Sequence, residues 1–153
     1  VIVDVCFVSG GTMKSKITWQ EGMAFEAELD GFKLMIDADK SVGGQGRGPK
    51  PKGLTLVSLA GCTGMDVISI LRKMKVDVEG FEVQTEGVVA DEHPRKFTEI
   101  TLRYLFTGKD LPHEKLKKAI NLSREKYCGV SATLAPTVRI NTEILVNGEK
   151  IES

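Results

Sequence analysis

Residues Leu54–Lys75 read LTLVSLAGCTGMDVISILRKMK, and this stretch decides the fold. Leu56, Leu59, Ala60, Met65, Ile68, Leu71 and Met74 recur at helical spacing. Leu54, Val57, Val67 and Ile70 fall between them, so a helix here is apolar nearly all round and is expected to be buried on most sides. Its length, and its interruption by Asp66 and small polar residues, argue against a membrane span. Thr55, Ser58, Cys62, Met65 and Ser69 share a face by their spacing. Cys62 lies between Gly61 and the Thr63-Gly64 pair, where small neighbours leave room to approach its sulfur. Each interior glycine costs about 1 kcal/mol relative to alanine, a cost met where close packing or access requires it.

Downstream of Lys75 the period changes from helical to alternating. Val76–Val89, with Val78, Phe81, Val83 and Thr85, reads as a strand. Ala90–Pro94 is a turn, because proline restricts its predecessor and has no ladder donor. Phe97–Thr107 alternates Ile100, Leu102, Tyr104 and Phe106 against Thr101, Arg103 and Leu105 and reads as a second strand. Pro112 suits a first helical position. Leu116, Ala119, Ile120 and Leu122 or Ser123 then form one apolar face up to Tyr127, with Lys115, Lys117 and Lys118 solvated. Cys128-Gly129-Val130-Ser131 interrupts that helix, Ala132–Ala135 adds a short turn, and Pro136 ends it. Val138–Val146 is a final strand, and Asn147-Gly148 turns into a tail.

Upstream, Val1–Val8 alternates weakly as a strand or ordered extension, and Cys6 within it reads as a small buried hydrophobe. Lys14–Gln20 reads as a strand. Met23–Leu29 and Phe32–Ile36 flank Asp30-Gly31, a strong hairpin signal because a type I′ turn needs positive φ at both central residues. Asp39–Gly53 reads as a glycine-rich loop. It contains no GxxxxGK[ST] and follows no clear apolar strand, so a phosphate-loop reading fails. Lys40, Arg47, Lys50 and Lys52 are placed to line a site near the start of the following helix.

Strands, a buried helix, two strands, a helix and a strand make an α+β chain rather than an alternating parallel one. The 153 residues suit a single domain, 1–153. Lys+Arg and Asp+Glu balance at 21 each, which argues against nucleic acid and anionic membranes as partners. The N-terminal VIVDVCFVSGG lacks a basic leader and is not read as a signal peptide. Three widely spaced cysteines are no secreted disulfide framework, so a cytoplasmic location is expected. A central helix this apolar has too little partner surface in one small domain, and a second copy of the chain is expected to cover it.

The candidate chemistry rests on Cys62 and Cys128. Their separation makes neither a CxxC motif nor a zinc knuckle, and with only His93 and His113, both in turns, no metal and no bound cofactor are expected. Two thiols brought together can reduce a peroxide: one thiolate becomes a sulfenic acid, the second condenses with it to a disulfide, and an external thiol resets the pair. Periodicity alone equally allows Cys62 to be a packing residue, since an apolar site raises a thiol pKa and makes it inert. Asp66, one turn along, opposes thiolate formation if its charge is unpaired.

The text SLAGCTGMDVISILRKMK, followed by HPRKFTEITLRY and LSREKYCGVSATL, resembles the OsmC/Ohr superfamily of thiol-dependent organic hydroperoxide reductases, in its OsmC-like branch. The resemblance runs from about Trp19 to Val146. It implies an OsmC-like fold, with antiparallel sheets around a buried central helix in an intertwined homodimer. It places the family's peroxidatic cysteine on Cys62 and its resolving cysteine on Cys128. It also implies an organic hydroperoxide as substrate and a small dithiol or lipoyl-bearing protein as reductant. Two features depart from the pattern. The family's Pro-x-Glu-Leu is here Pro51-Lys52-Gly53-Leu54, so glycine stands at the glutamate position. No arginine occurs around Trp19, where the activating one is expected; Arg47 and Arg95 are the alternatives, neither assigned by a motif. A different class stays open: a binding module that holds a hydrophobic small molecule in a dimer crevice, with its thiols vestigial or redox-sensing.

Overall fold

The computed structural model describes residues 11–152; the expectations for Val1–Val8 and Cys6 lie outside them. The chain divides into two compact units.

The smaller unit, whose described part is residues 11–55, holds an antiparallel sheet of β1 (Ser15–Trp19), β2 (Phe25–Leu29) and β3 (Phe32–Ile36). Asp30 and Gly31 have φ of 52° and 81°, the left-handed pair that the hairpin signal demanded. The segment read as an open loop is more ordered than expected. A 3₁₀ turn spans Lys40–Val42, capped by Asp39 and closed by Gly43 at φ 90°. The Asp37 carboxylate gathers the backbone N–H groups of Ala38, Gln45 and Arg47 at 2.8, 3.1 and 3.1 Å. The glycines are there for close backbone approach. A Cβ on Gly44 would lie 1.9 Å from the Ala38 carbonyl oxygen, and one on Gly48 would lie 1.9 Å from that of Met35.

Helix α1 spans Pro51–Lys73, so it starts ahead of the expected Leu54. Pro51 takes the first helical position, where its missing N–H is no loss. By length and composition the helix could cross a bilayer, with a mean hydropathy of 1.8 over its most apolar window. One face is buried, carrying Leu59, Cys62, Thr63, Asp66, Val67, Ile70 and Leu71. The expected all-round burial is therefore not seen in the single chain, where Val57 and Met65 are 65% and 54% exposed. The expected face Thr55–Ser58–Cys62–Met65–Ser69 is also corrected: Cys62 shares its face with Thr63 and Asp66, while Met65 points away from the core.

In the larger unit, whose described part is residues 56–152, β4 (Gly80–Val89) and β5 (Phe97–Thr107) pair antiparallel. Ile100, Leu102, Tyr104 and Phe106 turn inward on β5 as their alternation requires. Helix α2 (His113–Leu122) buries Leu116, Ala119 and Ile120, with Pro112 at its N-cap rather than inside it. A π-helical turn, Ser123–Tyr127, follows; the Cys128 N–H donates to the Ser123 carbonyl at 2.7 Å. Helix α3 (Gly129–Leu134) leads to β6 (Arg139–Val146).

Strand β6 runs parallel to β5, so the larger sheet is mixed rather than antiparallel as expected. The helical crossover through α2 and α3 supplies the long connection that parallel neighbours need. The supposed tail is β7 (Glu149–Ile151), hairpinned onto β6 through Asn147 and Gly148 at φ 51° and 84°. The core of this unit joins α1, β5, α2 and β6 around Leu59, Leu71, Leu102, Tyr104, Leu116 and Ile144. Each such side chain, fully removed from water, contributes on the order of 1.5–3 kcal/mol.

Candidate functional site

The larger unit brings Cys62 and Cys128 together. Their Sγ atoms and a carboxylate oxygen of Asp66 all lie within 4.8 Å of one another. Cys62, Asp66 and Cys128 are 8%, 1% and 2% exposed, and both cysteines are thiols rather than a disulfide. Two local features produce this meeting. Cys62 and Asp66 are one helical turn apart on the buried face of α1. Cys128 sits where the wide turn after α2 breaks, with extended backbone, and becomes the N-cap of α3; its Sγ accepts the Ser131 N–H at 3.3 Å.

Burial pushes the Cys128 thiol up to about 11; the Ser131 hydroxyl and amide pull it down, and Cys62 pushes it further up. At neutral pH it is therefore a protonated thiol, suited to a second step rather than to first attack.

A chain of hydroxyls that no sequence motif signals runs beside the thiols. Thr63 Oγ1 is 2.8 Å from Tyr104 Oη and 2.9 Å from Ser123 Oγ. Ser123 in turn donates to Asp66 Oδ2 at 3.0 Å. A carboxylate only accepts, and each hydroxyl has one proton. Ser123 spends its proton on Asp66 and so accepts from Thr63, which accepts from Tyr104. All the donors point toward Asp66. Burial raises the Tyr104 phenol to about 12, against the bond to Thr63 and the charge of Arg124, which lower it. The signal available in sequence was the helical stripe shared by Cys62, Thr63 and Asp66; the partners on β5 and after α2 are remote in the chain.

Of the two cations weighed for activating a thiol, Arg47 is engaged within the smaller unit. Its guanidinium is 3.5 Å from the Asp37 carboxylate and donates to the Glu21 carbonyl at 2.6 Å. Arg95 stands in the turn between β4 and β5 at φ 46°. Arg124, not singled out in sequence, is the cation whose field reaches Tyr104. It donates to Thr142 Oγ1 and, at 2.9 Å, to the Ile140 carbonyl.

Among the described residues, Cys62, Asp66 and Cys128 form the one set of His, Cys, Asp and Glu side chains close enough to be weighed around a metal. They offer three donors, one fewer than a closed structural zinc site and the number an open zinc site uses; the same three also make a thiol pair with a carboxylate alongside.

Residues 44–143 match the family model described as OsmC-like protein. Protein YhfA of Escherichia coli K12 is 35% identical over 129 residues, which cover 84% of this chain and 93% of that protein. A crystal structure of a hypothetical protein from Aquifex aeolicus superposes with a TM-score of 0.80 at 26% identity, covering 90% of this chain and 97% of that one. A Legionella pneumophila structure described as an organic hydroperoxide resistance protein OsmC and predicted redox protein shares the fold. Its TM-score is 0.69 at 19% identity, with coverage of 91% of this chain and 100% of that one. The family match spans most of the chain and includes both cysteines of the cluster, and the chain belongs to the OsmC-like family.

Proposed function

We propose that this chain is a cytoplasmic, thiol-dependent peroxidase that reduces organic hydroperoxides. The observation that carries the reading is the pair of buried thiols, Cys62 and Cys128, within 4.8 Å. The Cys62 thiolate attacks the outer oxygen of R–O–OH; the O–O bond breaks, the sulfur becomes a sulfenic acid, and the alkoxide takes a proton to leave as ROH. The Cys128 sulfur then attacks the Cys62 sulfur, the S–O bond breaks, and water leaves with the Cys128 proton. An external dithiol reduces the Cys62–Cys128 disulfide by exchange. On the resemblance, that reductant is a small dithiol or a lipoyl-bearing protein.

The preference for an alkyl or aryl peroxide is proposed from the resemblance; each methylene buried against apolar side chains beside Cys62 favours the organic substrate by about 0.8 kcal/mol. The open groove of Val57, Ala60, Met65 and Ile68 with Phe81 and Val83 does not include Cys62 and is read as part of a dimer surface. Of Met65, Leu59 and Met74, the side chains expected to wall the substrate, Leu59 is fully inside the core, Met74 is partly buried against it and Met65 is exposed. A homodimer belongs to the same reading. Trp19 and Phe32 of the smaller unit are 63% and 79% exposed, and Val57 and Met65 of α1 are also open; apolar surface of this kind favours a protein partner.

The test is dithiol-dependent consumption of an aryl hydroperoxide beside hydrogen peroxide, for the native chain and Cys62→Ser. Turnover of the organic substrate that vanishes in the variant supports the reading; none above the variant sinks it. One observation favours a second reading, a hydrophobic-ligand module with idle thiols: Gly53 stands where the family's glutamate is expected. Thiol alkylation separates the two. A Cys62 ionising well below the ~8.5 of an ordinary thiol favours catalysis, and an unreactive Cys62 favours binding.

A further inference from the structure

The second step of the proposed cycle requires a proton to leave a thiol that resists losing it. Cys128 is almost fully buried, and the hydroxyl that departs from Cys62 must collect a proton in the same enclosed space. Bulk water is a poor intermediary there. Asp66, with a carboxylate oxygen within 4.8 Å of both sulfurs, is near enough to act directly after a small side-chain shift or through one water.

We propose that Asp66 is the proton-transfer group of disulfide formation. It takes the proton from Cys128 Sγ as that sulfur attacks, and returns it to the hydroxyl leaving Cys62. The step balances: Cys62–S–OH and Cys128–S–H become one S–S bond and one water, and the carboxylate is regenerated. This inference rests on the peroxidase reading for its substrate. Its acceptor half applies to any oxidant that leaves Cys62 electrophilic.

Three observations carry it besides proximity. Asp66 is 1% exposed on a helix face that is otherwise apolar apart from Thr63 and Cys62, a costly place for a carboxylate without a task. The hydroxyls of Tyr104, Thr63 and Ser123 form a row of donors that ends on Asp66 Oδ2. The Ser123 hydroxyl at Oδ2 ties the carboxylate into this row beside the two sulfurs. Finally, among the described residues Cys62 on its own helix and Cys128 before α3 lie close to it, and Tyr104 on β5 feels its charge together with that of Arg124 after α2. Between two thiols that must exchange a proton, Asp66 is the carboxylate of this set. Asp66, expected to oppose the Cys62 thiolate if its charge is unpaired, accepts a bond from Ser123, and in the second step it assists Cys128.

The test separates resolution from peroxide chemistry. In a Cys6→Ser background, reduced protein is mixed with one equivalent of dipyridyl disulfide. Attack by Cys62 releases a first thiopyridone; attack by Cys128 on the mixed disulfide releases a second. Asp66→Asn is expected to slow the second release about a hundredfold at pH 7. It should also make that rate climb with pH toward the ionisation of Cys128. Ser123→Ala keeps the carboxylate but removes its donor. It should retain second release while moving the rise of its rate to higher pH, which carries the test even if Asp66→Asn fails to fold. With one equivalent of aryl hydroperoxide, Asp66→Asn should accumulate a Cys62 sulfenic acid that dimedone traps. A second release unchanged in rate and pH profile in either folded variant overturns the proposal, as does a native chain with no second release. Because the disulfide arm uses no hydroperoxide, normal second release without peroxide turnover would sink the peroxidase reading alone.

Discussion

Replacing Thr63 by valine removes one oxygen and leaves the shape of the core nearly unchanged. Thr63 is fully buried and its hydroxyl bridges Tyr104 at 2.8 Å and Ser123 at 2.9 Å. Without it the Tyr104 phenol, itself fully buried, is left without the bond it donates here, a loss of about 1–3 kcal/mol. Ser123 keeps its bond to Asp66 and loses only a donor, about 0.5–1.5 kcal/mol. Thr63→Val should therefore destabilise the chain by about 1.5–4.5 kcal/mol. The assay is urea unfolding at fixed protein concentration, read as a lower midpoint with an unchanged slope. Tyr104→Phe supplies the control, because it removes the orphaned hydroxyl. In the double variant the loss should be smaller than the sum of the two by about 1–2 kcal/mol. A Thr63→Val cost under about 0.5 kcal/mol, or a cycle additive within that margin, would refute the bridge as a stabilising element.

Other expectations follow from the same geometry. Backbone N–H groups, that of Arg47 foremost, and the Arg47 guanidinium hold the Asp37 carboxyl below its ordinary value. Its contribution is present above the unfolded pKa of about 3.9 and is lost as pH falls through the folded value. Amide protection at Gln45 and Arg47 should accordingly persist below pH ~3.9 and be lost only as pH falls through the lowered folded value in hydrogen exchange, and Asp37→Asn should abolish it at neutral pH. Gly48→Ala drives a Cβ to 1.9 Å from the Met35 carbonyl and should cost about 2 kcal/mol or more, whereas Gly53→Ala, with nothing within 4 Å, should stabilise by about 0.5–1 kcal/mol; urea midpoints distinguish them. Burial is the largest cause of the raised Cys128 pKa, so in a Cys62→Ser variant its alkylation rate should still rise well above pH 8.5, the value of an ordinary thiol near ~8.5; half-reaction at or below that pH would contradict the burial account.

Much of the architecture was legible because its causes are local. The β5 strand Phe97–Thr107 and the Asp30-Gly31 hairpin follow from alternation and from positive φ, which neighbours in sequence dictate. What was misread depended on distant partners. Pro51-Lys52-Gly53 looks like loop text, yet proline is at home in a first helical turn. β7 is a short strand that exists only because β6 lies beside it. Parallel pairing of β5 and β6 leaves no mark in either strand. The glycines after Asp39 read as a plain loop, but Gly44 and Gly48 are there for backbone contact. In the candidate site, Cys62 and Cys128 stood out through their glycine neighbours and the family resemblance. Tyr104 and Ser123 read as ordinary inward-facing residues, and only the fold shows that their hydroxyls meet Thr63 and Asp66.

The central claim is that Cys62 and Cys128 act as one redox pair. The most direct measurement is peptide mapping by mass spectrometry after the reduced native chain meets one equivalent of an aryl hydroperoxide. The account predicts loss of both thiols with a Cys62–Cys128 cross-linked peptide as the product, and full recovery of both thiols on adding a dithiol. Unmodified Cys62 and Cys128 after the peroxide is spent, or oxidation confined to Cys6, would contradict it.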